Sequence, residues 1–188
     1  MLTKNLLNKT SELVTLLDQN FDLLLSAAKQ KEYNKGECLL NEGQQCDYLY
    51  FVESGYLRSY YSRDVKDITI DFTFEGNFTC NIKSLKLGQP SQYNIVAGEK
   101  SMVTLFNKND LLDLYSRSPD IELLCRKILG NLLIESKEHV DFYQLNTPLQ
   151  RYDFLMENKP EMIKKLSVTQ LASYIGVARE TLSRIRKQ

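Results

Sequence analysis

The chain has 188 residues, 43% of them hydrophobic, and its 24 Lys and Arg balance 24 Asp and Glu, so it can bury one substantial core and one minor one. No apolar run approaches the roughly 20 residues that cross a bilayer, and the front shows no apolar signal core ending in small residues, so a cytoplasmic protein is expected. Cys38, Cys46, Cys80 and Cys125 form no Cys-x-x-Cys pair and His139 is the only histidine, which argues against a zinc site, an iron–sulfur cluster and a disulfide scaffold.

In residues 3–30 the leucines Leu6, Leu7, Leu13, Leu16, Leu17, Leu23 and Leu24 predict one or two amphipathic helices. From 33 to 106 the character changes. Gly36, Gly43, Gly55, Gly76, Gly88 and Gly98 separate short runs rich in β-branched and aromatic residues, and 48–52, 56–61, 68–74, 93–97 and 102–106 predict strands. Short strands at regular intervals imply an antiparallel sandwich, barrel or roll, with most Tyr and Phe in its core.

A short helix is predicted over 109–116. Ser118 then caps, and Pro119 takes the first position of a long helix reaching about residue 146. Ile121, Leu124, Ile128 and Leu132 repeat there at spacings of three and four, continuing through Val140 and Tyr143, with Leu129 and Leu133 on an adjoining side. That is more apolar surface than one β module needs, so this stripe, on a helix roughly 40 Å long, is expected to pair with a second copy. The alternative is packing on the chain's own roll, since Ser136 and His139 interrupt the heptad. Thr147-Pro148 reads as a hinge and cap before a helix over 149–158, and Pro160 starts another short one.

The stretch 168–187 reads as a helix, a glycine turn and a second helix. Ser167 and Gln170 form a capping-box pattern ahead of it, and Gly176 stands where the chain must reverse through a left-handed conformation. Leu171, Ile175, Val177, Leu182 and Ile185 fall at the buried positions of two short crossing helices, with small Ala172 allowing close approach. Ala178 has no side-chain oxygen to cap the second helix, at a cost of about 1 kcal/mol. Arg179, Glu180, Ser183, Arg184 and Lys187 are left on the outer surface, where arginine can bond guanine bidentately and a carboxylate can accept from cytosine. Base contacts are therefore expected from Arg179, Glu180 and Arg184, and phosphate contacts from Ser167, Thr169, Thr181 and Lys187. Residues 151–188 hold eight Lys or Arg against four Asp or Glu, a balance of +4, and the remainder is −4. A cationic end on an acidic body suits phosphate binding at one face.

A β-roll, a long helix and a terminal helix-turn-helix together resemble the cyclic-AMP receptor protein superfamily, Crp/Fnr, over nearly the whole chain. Residues 179–184 (RETLSR) are similar to that family's recognition pattern Arg-Glu-Thr-x-x-Arg, residues 35–43 (KGECLLNEG) and 48–55 (YLYFVESG) look like its first roll turn and the strand after it, and Glu75-Gly76-Asn77-Phe78 resembles the Gly-Asp-Phe opening its phosphate-binding cassette. The resemblance implies an α+β fold with flanking helices, divided into a sensory roll (1–118), a dimerisation helix (119–146) and an all-α helix-turn-helix domain (147–188). It also implies a homodimer that reads palindromic double-stranded DNA, with RNA polymerase as a further partner and no cofactor.

Two departures matter. Members that bind cyclic AMP have Gly-Glu after the phenylalanine and Arg-Ser/Thr-Ala further on, where this chain has Cys80-Asn81 and Ser91-Gln92-Tyr93. Without the arginine and the carboxylate a buried cyclic phosphate would lie uncompensated, at a cost of several kcal/mol, so cyclic AMP is not expected to bind in the family's manner. Cys80, Asn81, Ser91, Gln92 and Tyr93 remain a candidate pocket for a less charged effector, a filled roll being the alternative. The sequence also ends at Gln188 without the β-wing of many relatives, so modest, salt-sensitive affinity is expected. Two other classes compete: a sensor acting through protein contacts, and an enzyme on a cupin-like roll, which is disfavoured because the only histidine lies outside the β region.

Overall fold

The computed structural model describes residues 4–15, 18–63 and 66–187. Helices α1 (Lys4–Leu13) and α2 (Asp18–Ser26) come first and bury Leu6 and Leu24. Among the described residues eight strands then build two four-stranded sheets, giving the expected α+β architecture. One sheet has the order β1 (Ala28–Tyr33), β8 (Ser101–Asn107), β3 (Tyr48–Ser54) and β6 (Phe78–Thr79). The other has β2 (Cys38–Leu40), β7 (Asn94–Ala97), β4 (Tyr56–Arg63) and β5 (Lys66–Phe74). In the first sheet β8 runs antiparallel to both neighbours, with Phe106 opposite Ala28 on one side and Leu49 on the other. Strand β3, flanked on both edges, buries Leu49, Tyr50, Phe51 and Val52 in succession, as a doubly covered strand does.

The strands predicted from spacing are β3, β4, β5, β7 and β8. Strand β1 takes up residues 28–30, which the leucine pattern assigned to helix. It is an edge strand whose four central side chains are exposed, so it carries no apolar alternation to read. Strands β2 and β6 are two or three residues long, too short for a period. The tight β3–β4 turn requires Gly55: its φ is +84°, and a Cβ there would come within 2.4 Å of Ser101 Oγ and 2.9 Å of the Lys100 carbonyl.

The remaining helices are α3 (Ile82–Leu87), α4 (Lys108–Arg117), α5 (Pro119–Leu145), α6 (Pro148–Asn158), α7 (Pro160–Lys165), α8 (Val168–Ile175) and α9 (Arg179–Ile185). Among the described residues no helix is long and apolar enough to cross a membrane. The chain gathers into two units, Met1–Ser59 with Phe72–Leu132 and Tyr60–Asp71 with Leu133–Gln188. The division falls inside α5 and inside the β4–β5 hairpin, and the first part of α5 packs with the roll.

That packing corrects the reading of the long helix. Ile121, Leu124 and Ile128 are almost wholly buried in the roll's core with Leu49, Phe106, Leu111 and Leu114, and Leu132 packs against the same cluster. Ile121, Leu124 and Ile128 thus have no surface to offer a second copy, and Leu132 is half-buried. The apolar residues α5 exposes are Leu123, Leu133, Ile134, Val140 and Leu145.

Candidate nucleic-acid interface

The helix-turn-helix is built by local chemistry. Ser167 Oγ accepts from the Gln170 amide (3.2 Å) while Gln170 Oε1 accepts from the Ser167 amide (3.1 Å), so both ends of the capping box are closed and α8 starts at Val168. At its other end Gly176 takes φ +76°, and the Val177 amide returns to the Ala172 carbonyl at 2.9 Å. Leu171, Ala172, Ile175 and Leu182 are buried between α8 and α9, while Val177 and Ile185 are half-buried at the edge. Ala178 offers α9 no side-chain cap, as its residue type dictates.

Arg179, Glu180, Ser183, Arg184 and Lys187 are exposed. Burial of Leu182 anchors the inner side of α9, so the outer side chains project from a fixed rod. Arg184 Nη2 donates to Thr181 Oγ1 at 3.4 Å, one turn back, so these two side chains share one ridge. Ser167 and Thr169 are exposed at the start of α8, and Thr181 is half-buried. The predicted base-contact residues Arg179, Glu180 and Arg184 thus share α9, while among the phosphate candidates Ser167 caps α8, Thr169 lies on α8, Thr181 lies on α9 and Lys187 follows it.

Three further features hold α8, none of them predicted from the sequence. The β5 amide of Thr69 donates to Ser173 Oγ (2.9 Å), whose hydroxyl donates to the Asp67 carbonyl (3.0 Å), so one serine brackets the strand edge. Arg151, on α6, donates to the Ile175 carbonyl at the end of α8 (2.8 Å). Tyr174, Phe142, Tyr143 and His139 form an aromatic cluster in which the His139 and Tyr174 rings stand 5.3 Å apart and the Tyr174 hydroxyl lies 3.3 Å from His139 Nδ1.

Burial pushes His139 below its ordinary 6.5; Asp71 opposes the shift and Lys159 adds to it. A histidine whose folded pKa is depressed stabilises the protein fully above its unfolded pKa and loses that contribution as pH falls below about 6.5, because the unfolded chain takes up the proton first. Unfolding temperature should therefore fall more steeply on acidification for the parent than for His139→Gln, which keeps a hydrogen-bonding group and does not titrate. Parallel curves between pH 8 and 5 would remove His139 from this role.

The second candidate site lies in the roll. Asn81 caps α3 by accepting from the Ser84 amide (3.0 Å) and donates through Nδ2 to Ser91 Oγ (2.8 Å). Ser91 Oγ donates to the Tyr93 carbonyl (2.6 Å), and the Tyr93 hydroxyl donates to the Cys80 carbonyl (3.4 Å). Cys80, Asn81, Ser91 and Tyr93 are thus brought together, while Gln92 is exposed. Asn81 and Ser91 are buried and already partnered with each other. Burial raises the Cys80 thiol far above its usual range, with the neighbouring Cys46 adding to the shift, so it stays protonated. A small void of about 10 Å³ lies elsewhere in this unit, among apolar side chains including Leu24, Phe78, Phe106 and Ile128.

Comparison with known proteins bears on the fold. Residues 30–118 match the cyclic nucleotide-binding domain family. Among solved structures, FixK2 from Bradyrhizobium japonicum is 21% identical with a TM-score of 0.72, the match covering 86% of this chain and 83% of that one. The catabolite activator protein of Thermus thermophilus is also 21% identical, at TM-score 0.59 over 95% of this chain and 85% of that one. A protein from Eubacterium rectale assigned to the crp/fnr family of transcriptional regulators is 18% identical, at TM-score 0.68 over 92% and 82%. No curated protein sequence matches the chain.

Proposed function

We propose that this protein is a cytoplasmic, non-enzymatic transcription regulator that binds a palindromic DNA site as a homodimer; the match of residues 30–118 to the cyclic nucleotide-binding domain family and a fold like those of FixK2 and the catabolite activator protein support this reading. One observation carries the reading: α9 presents Arg179, Glu180 and Arg184 to solvent while Leu182 on its inner side is completely buried against α8. Two such helices related by a two-fold axis enter successive major grooves about 34 Å apart. Arg179 and Arg184 read guanine and Glu180 reads cytosine, while Ser167, Thr169, Thr181 and Lys187 hold phosphates. Ser167 Oγ already accepts the Gln170 amide, so its hydroxyl proton is the part it gives to a phosphate. Leu133, Ile134 and Val140, exposed on the later part of α5, are the surface we assign to the second copy, in place of the buried stripe.

Selection from a pool of random duplexes tests this. The purified chain should enrich a site with two inverted half-sites one helical turn apart, and binding should weaken steeply with salt. Failure to enrich any duplex would favour a sensor that works through protein contacts.

The roll's effector is not cyclic AMP bound in the family's manner, since neutral Asn81 and Ser91 are hydrogen-bonded to each other at the place where a phosphate and a ribose would need a cation and a carboxylate. Isothermal calorimetry with cyclic AMP should register no binding at micromolar concentration, and micromolar or tighter affinity would contradict this.

A further inference from the structure

Arg151 lies in the first turns of α6, where a cation meets the positive end of the helix dipole and is poorly placed. Its side chain serves other helices. Nε donates to the Asn146 carbonyl (3.1 Å), Nη2 to the Tyr143 carbonyl (2.7 Å) and Nη1 to the Ile175 carbonyl (2.8 Å). The guanidinium also stands 4.6 Å from the centre of the Tyr143 ring, and burial pushes that phenol up to about 12 against the opposing pull of Arg151.

These acceptors come from two chain reversals. Tyr143 and Asn146 mark the exit of α5, and Ile175 ends α8 immediately before Gly176. Carbonyls in the last turn of a helix have no intrahelical donor, and here acceptors from the ends of two helices meet on one planar fork. A Cβ on Gly176 would come within 3.2 Å of Arg151 Nη1 and 3.3 Å of Tyr143 Cε1, so the backbone of the reading turn lies directly against this fork. Helix α9 begins at Arg179, a few residues on.

We propose that Arg151 is a positioning residue for base reading: by tying the turn before α9 to the exit of the long helix, it sets the angle at which Arg179, Glu180 and Arg184 are presented. This rests on the DNA-binding reading above and deepens it, since the register of α9 in a groove is then fixed by a charge-assisted fork. The Thr147-Pro148 joint does not set it alone. A lysine carries the same charge but lacks the planar fork that reaches these carbonyls together.

The test uses the full chain, the duplex that the parent enriches from a random pool and an unrelated duplex of equal length. Arg151→Lys and Arg151→Met should each bind the enriched duplex about tenfold or more weaker while changing less than about twofold on the unrelated one, because phosphate contacts tolerate a tilt that base contacts do not. The discriminating quantity is the ratio of the two affinities, which loss of folded protein alone leaves unchanged. An unaltered ratio in Arg151→Lys, or an equal loss on both duplexes, would overturn the positioning role. Failure of the parent to enrich any duplex would sink the DNA-binding reading and this role with it, whereas enrichment by the parent with an unaltered ratio in the variants refutes the positioning role alone.

Discussion

Leu182→Ala should cost the unit that carries α8 and α9 about 2–5 kcal/mol and abolish binding to DNA, because a leucine at 0% exposure leaves a cavity that two short helices cannot close by collapse. Leu182 is the buried anchor of α9, a helix of seven residues that has no side-chain cap at its start. Its hold on α8 therefore comes from packing rather than from its own termini. Leu182→Met, which conserves volume, should stay within about 1.5 kcal/mol of the parent and retain binding. Circular dichroism melts of the two variants beside DNA titrations give the comparison. Near-parent binding by Leu182→Ala would show that α9 does not need this packing to reach its target.

The second large effect concerns specificity. Arg184→Ala should weaken binding to the enriched duplex by about 1–3 kcal/mol and relax the preference at one base pair in each half-site. The Arg184 side chain is exposed and donates to the Thr181 hydroxyl at 3.4 Å, so its removal disturbs little of the fold. Titration against duplexes carrying each base at each half-site position separates two roles. Loss confined to one position identifies base contact; uniform loss across all sequences would assign Arg184 to phosphate.

Local chemistry made the reading unit legible in advance. A capping box joins residues three apart and a helix-ending glycine acts at its own position, so Ser167, Gln170 and Gly176 announce the bounds of α8 without tertiary information. The strands with apolar alternation or continuous apolar runs were legible for the same reason. Polar β1 was not, because its place at a sheet edge lets four consecutive side chains face water.

Long helix α5 shows the limit of periodicity. Spacing reported correctly that Ile121, Leu124, Ile128 and Leu132 share a face, but a stripe says only that something apolar covers it, and the roll does. The exposed Leu133, Ile134 and Val140 were harder to see because the charged residues Glu135, Lys137 and Glu138 stand among them. Contacts across long separations left no trace in the sequence: Ser173 meets Thr69 from 104 residues away. Arg151 left a faint one, a cation near the start of a helix, against the preference of the dipole. In the roll, the residue types showed that an arginine was missing, whereas only the fold showed Asn81 and Ser91 bonded to each other.

The central claim is that α9 reads base edges in the major groove, and methylation interference on the enriched duplex tests it most directly. Methylation at guanine N7 blocks the acceptor that an arginine fork uses in the major groove, whereas methylation at adenine N3 obstructs the minor groove. Binding by the purified chain should be lost on methylating N7 of guanines in two clusters about 10 base pairs apart, one for each copy of α9. Interference at adenine N3 alone, or at no base, would contradict the account.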